Sequence, residues 1–131
     1  MSGKSLEIER WLKIAENDLA TARLLVVHGI YTNAIFACQQ AVEKALKGLY
    51  IAEVNEMFPK THSLAQIAES TSFPTSQFGF LRELTTKYTE SRYPAFLTED
   101  PADLYDREYA EVLLAKTEQA VQWIKKRLNE I

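Results

Sequence analysis

The sequence predicts an all-α protein, an up-and-down antiparallel four-helix bundle with one extra short helix in the middle crossover. Four long segments place apolar residues three or four positions apart, which is the spacing of one buried helix face. Glycine or proline interrupts this pattern between segments, and no segment shows the alternation typical of a strand. The 131 residues suit one core, so we expect a single domain over residues 1–131.

The first helix is predicted to begin at Ser5, a residue type that caps helix N-termini, and to end before Gly29. Its apolar face is formed by Ile8, Trp11, Leu12, Ala15, Leu19, Ala22 and Val26. Because the next helical pattern begins directly after Gly29, the first two helices are expected to form an antiparallel hairpin.

The second helix is the segment Ile30–Ala52, and it has apolar residues on two sides. The broad stripe that should face the core comprises Tyr31, Ala34, Ile35, Cys38, Ala41, Val42, Ala45, Leu46 and Leu49. The opposite side carries polar residues together with Phe36 and Ile51. A side that faced only water would not need those two residues. We therefore predict that a second chain covers this side, with Phe36, Gln40 and Ile51 at a dimer interface.

Three charged residues of the second helix are most simply a solvated face. Glu43 and Lys47 are one turn apart and can form an ion pair, with Lys44 beside them. Gln39 borders the apolar stripe, so we expect it to be buried against another helix end.

The middle crossover begins at Asn55–Lys60, where Pro59 is unfit for a helix interior. Thr61 is predicted to cap a short helix over about His62–Glu69. A loop around Pro74 should follow.

The third long helix is predicted over about Ser76–Glu90, and the last from Leu104 or Asp106 to Asn129. Between them, Ser91–Pro101 is bounded by prolines and is long for a loop. Long ordered loops often carry function, so this segment is a candidate for contributing to a site.

Composition narrows the class of protein. Hydrophobic residues make up 47% of the chain and charged residues 25%, which is typical of a globular domain. The net charge of −3 argues against a generally basic nucleic-acid binder but permits a local basic patch.

The N-terminus lacks a secretion signal and no apolar run would span a membrane, so we expect a cytoplasmic protein. The single cysteine, Cys38, lies in the apolar stripe and is expected to be a buried small hydrophobe.

The sequence favours neither a metal nor a cofactor. Helical bundles that hold two irons use Glu-x-x-His pairs, in which a histidine follows a glutamate by three residues. The only two histidines, His28 and His62, do not have a glutamate at that position. The four glycines are scattered and form no phosphate-binding loop.

Two places could instead bind a phosphate directly. His62 follows Lys60 at a predicted helix start, where an imidazole, a cation and exposed amides could bind an anion. The alternative is a structural role, in which His62 caps or packs against the crossover and hydrogen-bonds a neighbouring helix end. Arg92 and Tyr93 precede Pro94, so the guanidinium should lie near one end of the bundle. It could bind a phosphate or a neighbouring carboxylate, and both readings stay open.

Motifs from the whole chain occur together in one order. They are Trp11-x-x-x-Ala15-x-x-Asp18-Leu19-x-x-Ala22, Gly29-Ile30-Tyr31-x-x-Ala34-x-Phe36-x-x-Gln39-Gln40-Ala41-Val42-Glu43-Lys44-Ala45-Leu46-Lys47, Thr61-His62-x-Leu64 and Ser91-Arg92-Tyr93-Pro94. With this content and spacing the chain resembles the HEPN domain family.

The resemblance implies a small helical bundle that is commonly a homodimer and is named for nucleotide binding. Many prokaryotic members are encoded beside a minimal nucleotidyltransferase, acting as toxin to its antitoxin. Active members are metal-independent ribonucleases with an Arg-x4–6-His motif near the dimer interface. In them the arginine and histidine would position the scissile phosphate and assist attack by the 2′-hydroxyl.

This chain departs from the nuclease motif. No histidine follows Arg82 or Arg92 at the required interval. Arg23 and His28 fit the letters, but they lie on the first helix, whereas the family motif lies late in the chain. We therefore assign no catalytic residue.

Candidate nucleotide or phosphate contacts are His62, Arg92, Tyr93, Lys44 and Lys60. The leading hypothesis is a dimeric HEPN-like module that binds a nucleotide or RNA phosphate and works with a minimal nucleotidyltransferase in a toxin–antitoxin pair. The alternatives are an unconventional metal-independent RNase toxin and a structural oligomerisation partner without a ligand.

Overall fold

The computed structural model describes residues 3–92 and 105–131, and it confirms the predicted up-and-down antiparallel bundle. The helices of these residues are α1 (Gly3–Val27), α2 (Tyr31–Val54), α3 (Leu64–Ala68), α4 (Phe78–Arg92) and α5 (Arg107–Glu130), with a 3₁₀ turn at Thr75–Gln77. The four long helices form the bundle, and α3 is the extra short helix in the middle crossover.

The hairpin between α1 and α2 is made by Gly29. Its φ of 76° lies in the left-handed region, which an L side chain rarely adopts. The Ile30 amide donates to the carbonyl of Leu25 at 2.9 Å, and the Gly29 amide donates to that of Val26 at 3.1 Å. This pair of bonds is the Schellman pattern that ends a helix. Helix α1 begins at Gly3, however, so the prediction that Ser5 caps it was wrong.

Helix α2 is the centre of the bundle and contacts α1, α3, α4 and α5. Its predicted stripe is buried, with Ala41, Leu46 and Leu49 fully shielded from solvent, and only Tyr31 is half-exposed. The helix ends at Asn55, whose φ of 61° is left-handed. A central helix has neighbours on more than one side, so residues outside its main stripe can also be buried.

The short helix of the crossover begins two residues later than predicted. The cap of α3 is Ser63, whose hydroxyl accepts from the Gln66 amide at 3.3 Å, and not Thr61. Thr61 instead accepts from the Ser63 amide at 3.0 Å, ahead of the helix. The Leu64 amide donates to the Thr85 hydroxyl of α4 at 3.1 Å. His62 therefore lies in the connection before α3 and not within the helix.

Helices α4 and α5 differ from prediction only at their ends. Ser91 and Arg92 belong to α4 and not to a loop, while the rest of the predicted Ser91–Pro101 loop lies outside the described residues. Asp106 caps α5 as one of the two predicted starts, since its carboxylate accepts from the Tyr109 amide at 2.8 Å.

Two further properties can be stated of the described residues. No helix among them is both long and apolar enough to cross a membrane. Cys38 is buried, and this burial raises the pKa of its thiol to about 11. The thiol therefore stays protonated near neutral pH, as expected of a buried small hydrophobe rather than a nucleophile.

Candidate functional site

The most unusual side chain of the bundle is Glu43, in the middle of α2. Only 2% of the residue is exposed, although a glutamate is almost never fully buried unless it is paired. The expectation that Glu43, Lys44 and Lys47 form a solvated face was therefore wrong for the carboxylate. The neighbouring lysines are themselves mostly covered, with side chains 22% and 15% exposed.

Four side chains converge on this carboxylate. Gln39 donates through Nε2 to Oε1 at 3.2 Å, and Lys47 donates through Nζ to Oε2 at 3.3 Å. The Nζ of Lys44 lies 3.7 Å from Oε2. From the crossover, Nδ1 of His62 lies 3.3 Å from Oε1. We call Gln39, Glu43, Lys44, Lys47 and His62 the Glu43 cluster.

These contacts keep Glu43 ionised. Burial alone would raise the pKa of the carboxyl, because it removes water from the charged form. The charge of Lys47 and the hydrogen bonds from His62, Gln39 and Lys47 outweigh burial, so the pKa lies below its usual value. The cluster thus contains a buried negative charge that is compensated by side chains from two segments of the chain.

Aromatic rings of α1 and of the crossover cover the lysines. Nζ of Lys47 lies 5.3 Å from the ring centroid of Trp11 and 4.9 Å from that of Phe58. Nζ of Lys44 lies 5.6 Å from the Trp11 centroid. The two rings meet edge to face, with centroids 5.6 Å apart. These cation–π contacts hold both ammonium groups in place beside Glu43.

His62 is the exposed member of the cluster. Its side chain is 59% exposed, whereas that of Glu43 is 2% exposed. An ionised carboxylate can only accept hydrogen bonds, so in the neutral imidazole the hydrogen must sit on Nδ1 to bond Glu43. The ring then presents Nε2 away from the carboxylate. The geometry is that of an oriented histidine at the edge of a buried ionic pair.

A second carboxylate, Asp18 of α1, faces the same group of charges. Burial raises its pKa, and the charge of Lys44 opposes that effect. Lys44 and Lys47 are therefore accompanied by two acidic side chains, Asp18 and Glu43.

The structure brings two of the five candidate phosphate contacts into one cluster, Lys44 and His62. Lys60 is exposed in the same connection, two residues before His62. Arg92 is the last residue of α4, and its side chain lies outside the described part of the protein, as does the whole of Tyr93.

The three dimer-interface candidates have different environments. Ile51 is only 8% exposed, so the chain itself covers this residue, and its place at a dimer interface stays a prediction. Phe36 and Gln40 are half-buried and line an open groove of about 410 Å³ between α1 and α2. Asp18 lines the same groove. Gln40 also donates to Oε1 of Gln39 at 2.6 Å, which connects the groove to the Glu43 cluster.

The formal Arg-x4-His match of α1 is explained by an ion pair. Arg23 lies 2.9 Å from Glu118 of α5, and both side chains are substantially exposed. His28 follows the last residue of α1 and is exposed. Arg23 thus has an ion-pair partner on α5, and the absence of a nuclease role for this pair stays a prediction.

Sequence reasoning missed Glu43, Trp11 and Phe58 as members of the site. One signal was available for Glu43: it lies one turn after Gln39, which already bordered the buried stripe. No comparable signal pointed to Phe58, because its contact with Trp11 joins residues far apart in the chain.

No group of three or more His, Cys, Asp or Glu side chains suited to a metal occurs in residues 3–92 and 105–131. The Glu43 cluster itself offers two lysines and a histidine. Two ammonium groups and an imidazole can attract and bond an anion, and the imidazole can also exchange a proton.

A family model and a solved structure name the same family. The HEPN domain family model matches residues 8–128. A protein of Methanocaldococcus jannaschii named as a "putative toxin" is 28% identical over 130 residues, covering 95% of this chain and 91% of that protein. The crystal structure of an archaeal HEPN homologue is similar with a TM-score of 0.78 and 30% identity, covering 92% of this chain and 97% of the other. A Thermus thermophilus crystal structure has a TM-score of 0.82 and 28% identity, with the same coverage.

Proposed function

The chain belongs to the HEPN domain family, and on that premise we propose that it is a dimeric phosphate-binding component of a toxin–antitoxin pair. Its ligand would be a nucleotide or an RNA phosphate, and its partner a minimal nucleotidyltransferase. The toxin part of this proposal is supported by the name of the M. jannaschii relative.

The observation that carries the proposal is the Glu43 cluster. A carboxylate at the centre of α2 holds a half-buried ammonium, Lys44, and an exposed imidazole, His62, on one side of the bundle. Fixed cations near a surface are the usual partners of phosphate oxygens, because little conformational entropy is lost when the anion arrives. Lys60 of the same connection, and Arg92 and Tyr93 at the end of α4, complete the proposed set of contacts.

The experiment that tests phosphate binding is a thermal unfolding series with several nucleotides at millimolar concentration. A ligand that binds only the folded protein raises the unfolding midpoint, and the rise grows with concentration. We expect Lys44→Gln and Arg92→Ala each to remove most of the rise. Lys126→Gln is the matched control, because it removes an exposed lysine of α5 outside the cluster and should leave the rise unchanged.

The result against phosphate binding is equally plain. If no nucleotide shifts the midpoint of the wild-type protein, or if Lys126→Gln reduces the shift as much as Lys44→Gln does, specific binding at this cluster is wrong. Equal reductions would indicate a general charge effect instead.

Dimer formation is proposed through the groove that Phe36 and Gln40 line between α1 and α2. Phe36→Asp should dissociate the dimer in sedimentation while far-ultraviolet circular dichroism still reports a helical chain, because a buried charge would face the partner. Val112→Asp, which alters an exposed apolar residue of α5, is the matched control. A wild-type protein that sediments as a monomer would rule this proposal out.

The proposed partner is tested by co-expression of this chain with a minimal nucleotidyltransferase encoded beside it in the genome. We expect the two proteins to co-purify, and the partner to relieve any growth arrest that this chain causes alone. If this chain causes growth arrest that the nucleotidyltransferase does not relieve, the chain is toxic but the proposed pairing is wrong.

A second candidate function is metal-independent RNA cleavage, and the pairing of His62 with Glu43 is the observation that favours it. An imidazole oriented by a carboxylate can accept a proton from a hydroxyl group. Cleavage of RNA in the presence of EDTA, lost in His62→Gln and retained in His28→Gln, would support this function. RNA left intact by the purified protein would remove it.

A further inference from the structure

We propose that a second copy of this chain covers the groove between α1 and α2 and places its Arg10 against Asp18 and Gln40. The proposal rests on the dimer of the proposed function and adds the register of its interface. The α1 helices of the two copies pack antiparallel, with Ile14 of each copy at the two-fold axis. Each copy then inserts one guanidinium into the groove of the other and receives one in return.

The first observation is a carboxylate of the groove that lacks a bonded partner. Asp18 is half-buried and lines this open groove of about 410 Å³. Within the parts of the chain that the structure describes, it makes neither a hydrogen bond nor an ion pair, and Lys44 acts on it only through its charge. Burial raises the pKa of Asp18, as expected of a carboxyl that has lost water without gaining a bonded partner. A cation that carries hydrogen-bond donors would stabilise such a group.

Lys44 does not become that partner, because the Glu43 cluster holds it. Its Nζ lies 3.7 Å from Oε2 of Glu43 and 5.6 Å from the ring centroid of Trp11. Asp18 is therefore left to a cation from outside the single chain. Leu25 and Ala37 line the same groove and give apolar surface on which the stem of a long cationic side chain can pack.

The second observation is the orientation of the Gln40 amide. An ionised carboxylate only accepts hydrogen bonds, so Gln39 must turn its NH₂ group to Glu43, at 3.2 Å. The carbonyl of Gln39 then accepts from the NH₂ group of Gln40 at 2.6 Å. The carbonyl of Gln40 accepts from no other described residue. The two walls of the groove thus offer two acceptors, Asp18 and Gln40, and a guanidinium has five N–H donors and no acceptor.

The third observation is that α1 itself carries a matching cation. Arg10 is exposed and has no ion pair among the described residues. Ile14, which is 43% exposed, lies midway between Arg10 and Asp18, and the three residues follow one another at intervals of one turn over about 12 Å. If two α1 helices pack antiparallel about Ile14, positions equally far from it on either side meet. Arg10 of each copy then meets Asp18 of the other, as a two-fold interface requires.

The test is sedimentation of charge-reversal variants. Arg10→Glu and Asp18→Lys each place like charges opposite one another, so we expect each to raise the dimer Kd at least tenfold. An equal mixture of the two variants should restore the dimer. In the mixed pair the introduced carboxylate faces the introduced ammonium, and the native Arg10 faces the native Asp18. Lys13→Glu is the matched control: it makes the same change of charge on α1, about 100° around the helix from Ile14, and should leave the Kd unchanged.

A cross-link tests the two-fold axis directly. Ile14→Cys should form a disulfide between two copies under mild oxidation, because a residue at the axis faces its own counterpart. Lys13→Cys should remain uncross-linked under the same conditions. The native Cys38 does not interfere, since it is buried and its thiol stays protonated near neutral pH. Circular dichroism checks that each variant is folded.

Three outcomes would overturn the inference. If the wild-type protein is a dimer but the mixture of variants does not restore it, Arg10 is not the partner of Asp18. If Ile14→Cys does not cross-link in a dimeric protein, the register is wrong although the dimer stands. A monomeric wild-type protein would overturn the proposed dimer as well, while phosphate binding is still decided by the nucleotide series.

Discussion

Two carboxylates of α2, Glu43 and Glu53, are bound in similar ways but differ in what they can do. They are ten positions apart, so about 15 Å of helix separates them. In both, burial would raise the pKa, and hydrogen bonds together with a nearby cation outweigh it, so that the pKa lies below its usual value. The electrostatics alone do not distinguish a functional site from a structural one.

The partners do distinguish them. Glu53 accepts from the backbone amide of Ser72 at 2.7 Å, from the Ser72 hydroxyl, and from Nε of Arg127 at 2.9 Å. These contacts tie α2 to the loop before α4 and to α5, and neither partner changes its charge near neutral pH. Glu43 instead bonds an exposed histidine. An accessible partner that can exchange a proton is the reason to propose a functional site at Glu43 and not at Glu53.

The largest expected effect that tests this comparison is on stability. Glu43→Ala removes the carboxylate that the half-buried Lys44 and Lys47 both contact, and we expect it to lower the free energy of unfolding by about 3–5 kcal/mol. Urea unfolding followed by circular dichroism measures the loss. Glu53→Ala is the matched variant, because it removes an equal side chain from the same helix and should cost about 1–3 kcal/mol. A greater loss for Glu53→Ala would reverse the ranking of the two sites.

An intermediate effect is expected in acid. Both carboxyls have a pKa below the unfolded value of about 4.3, so their contribution to stability is complete well above that value. It should be lost as the pH falls from about 5 through the lowered pKa of the folded protein. Calorimetry should therefore show a thermal midpoint that declines below about pH 5, with a shallower decline in Glu43→Gln and in Glu53→Gln. An unchanged slope in both variants would contradict the lowered pKa values.

The smallest effect on stability is expected at Arg127, the exposed partner of Glu53. The Arg127 side chain is 39% exposed, so Arg127→Gln should lower the free energy of unfolding by about 1 kcal/mol or less. It should leave the nucleotide-induced rise of the thermal midpoint unchanged, whereas Lys44→Gln should remove most of that rise. A loss of ligand binding in Arg127→Gln would mean that the Glu53 contacts are functional after all.

Much of the fold follows from local signals in the chain. Gly29 and Asp106 predicted a helix end and a helix start, because each acts on backbone groups within five residues of itself. The burial of Gln39 also followed from periodicity, since it borders the stripe. The predicted cap, Thr61, was wrong by two positions, because Ser63 also carries a hydroxyl group that can cap a helix.

The candidate site was less predictable for a physical reason. Periodicity placed Glu43 opposite the main stripe and therefore in solvent. Its burial depends on His62, nineteen positions away, and on rings of α1 and the crossover that meet above Lys47. Contacts between distant segments leave no pattern along the chain, because helical periodicity reports only which residues share a face of their own helix.

The sequence by itself determined the helices, the order in which they pack and the HEPN family, since each depends on short-range spacing or on motifs that can be read along the chain. Only the tertiary structure decided that the polar side of α2 is divided into an open groove at Phe36 and an ionic cluster around the buried Glu43. Burial is a property of the assembled bundle. The ionisation of Glu43, and the positions of Lys44 and His62 beside it, depend on the assembled bundle.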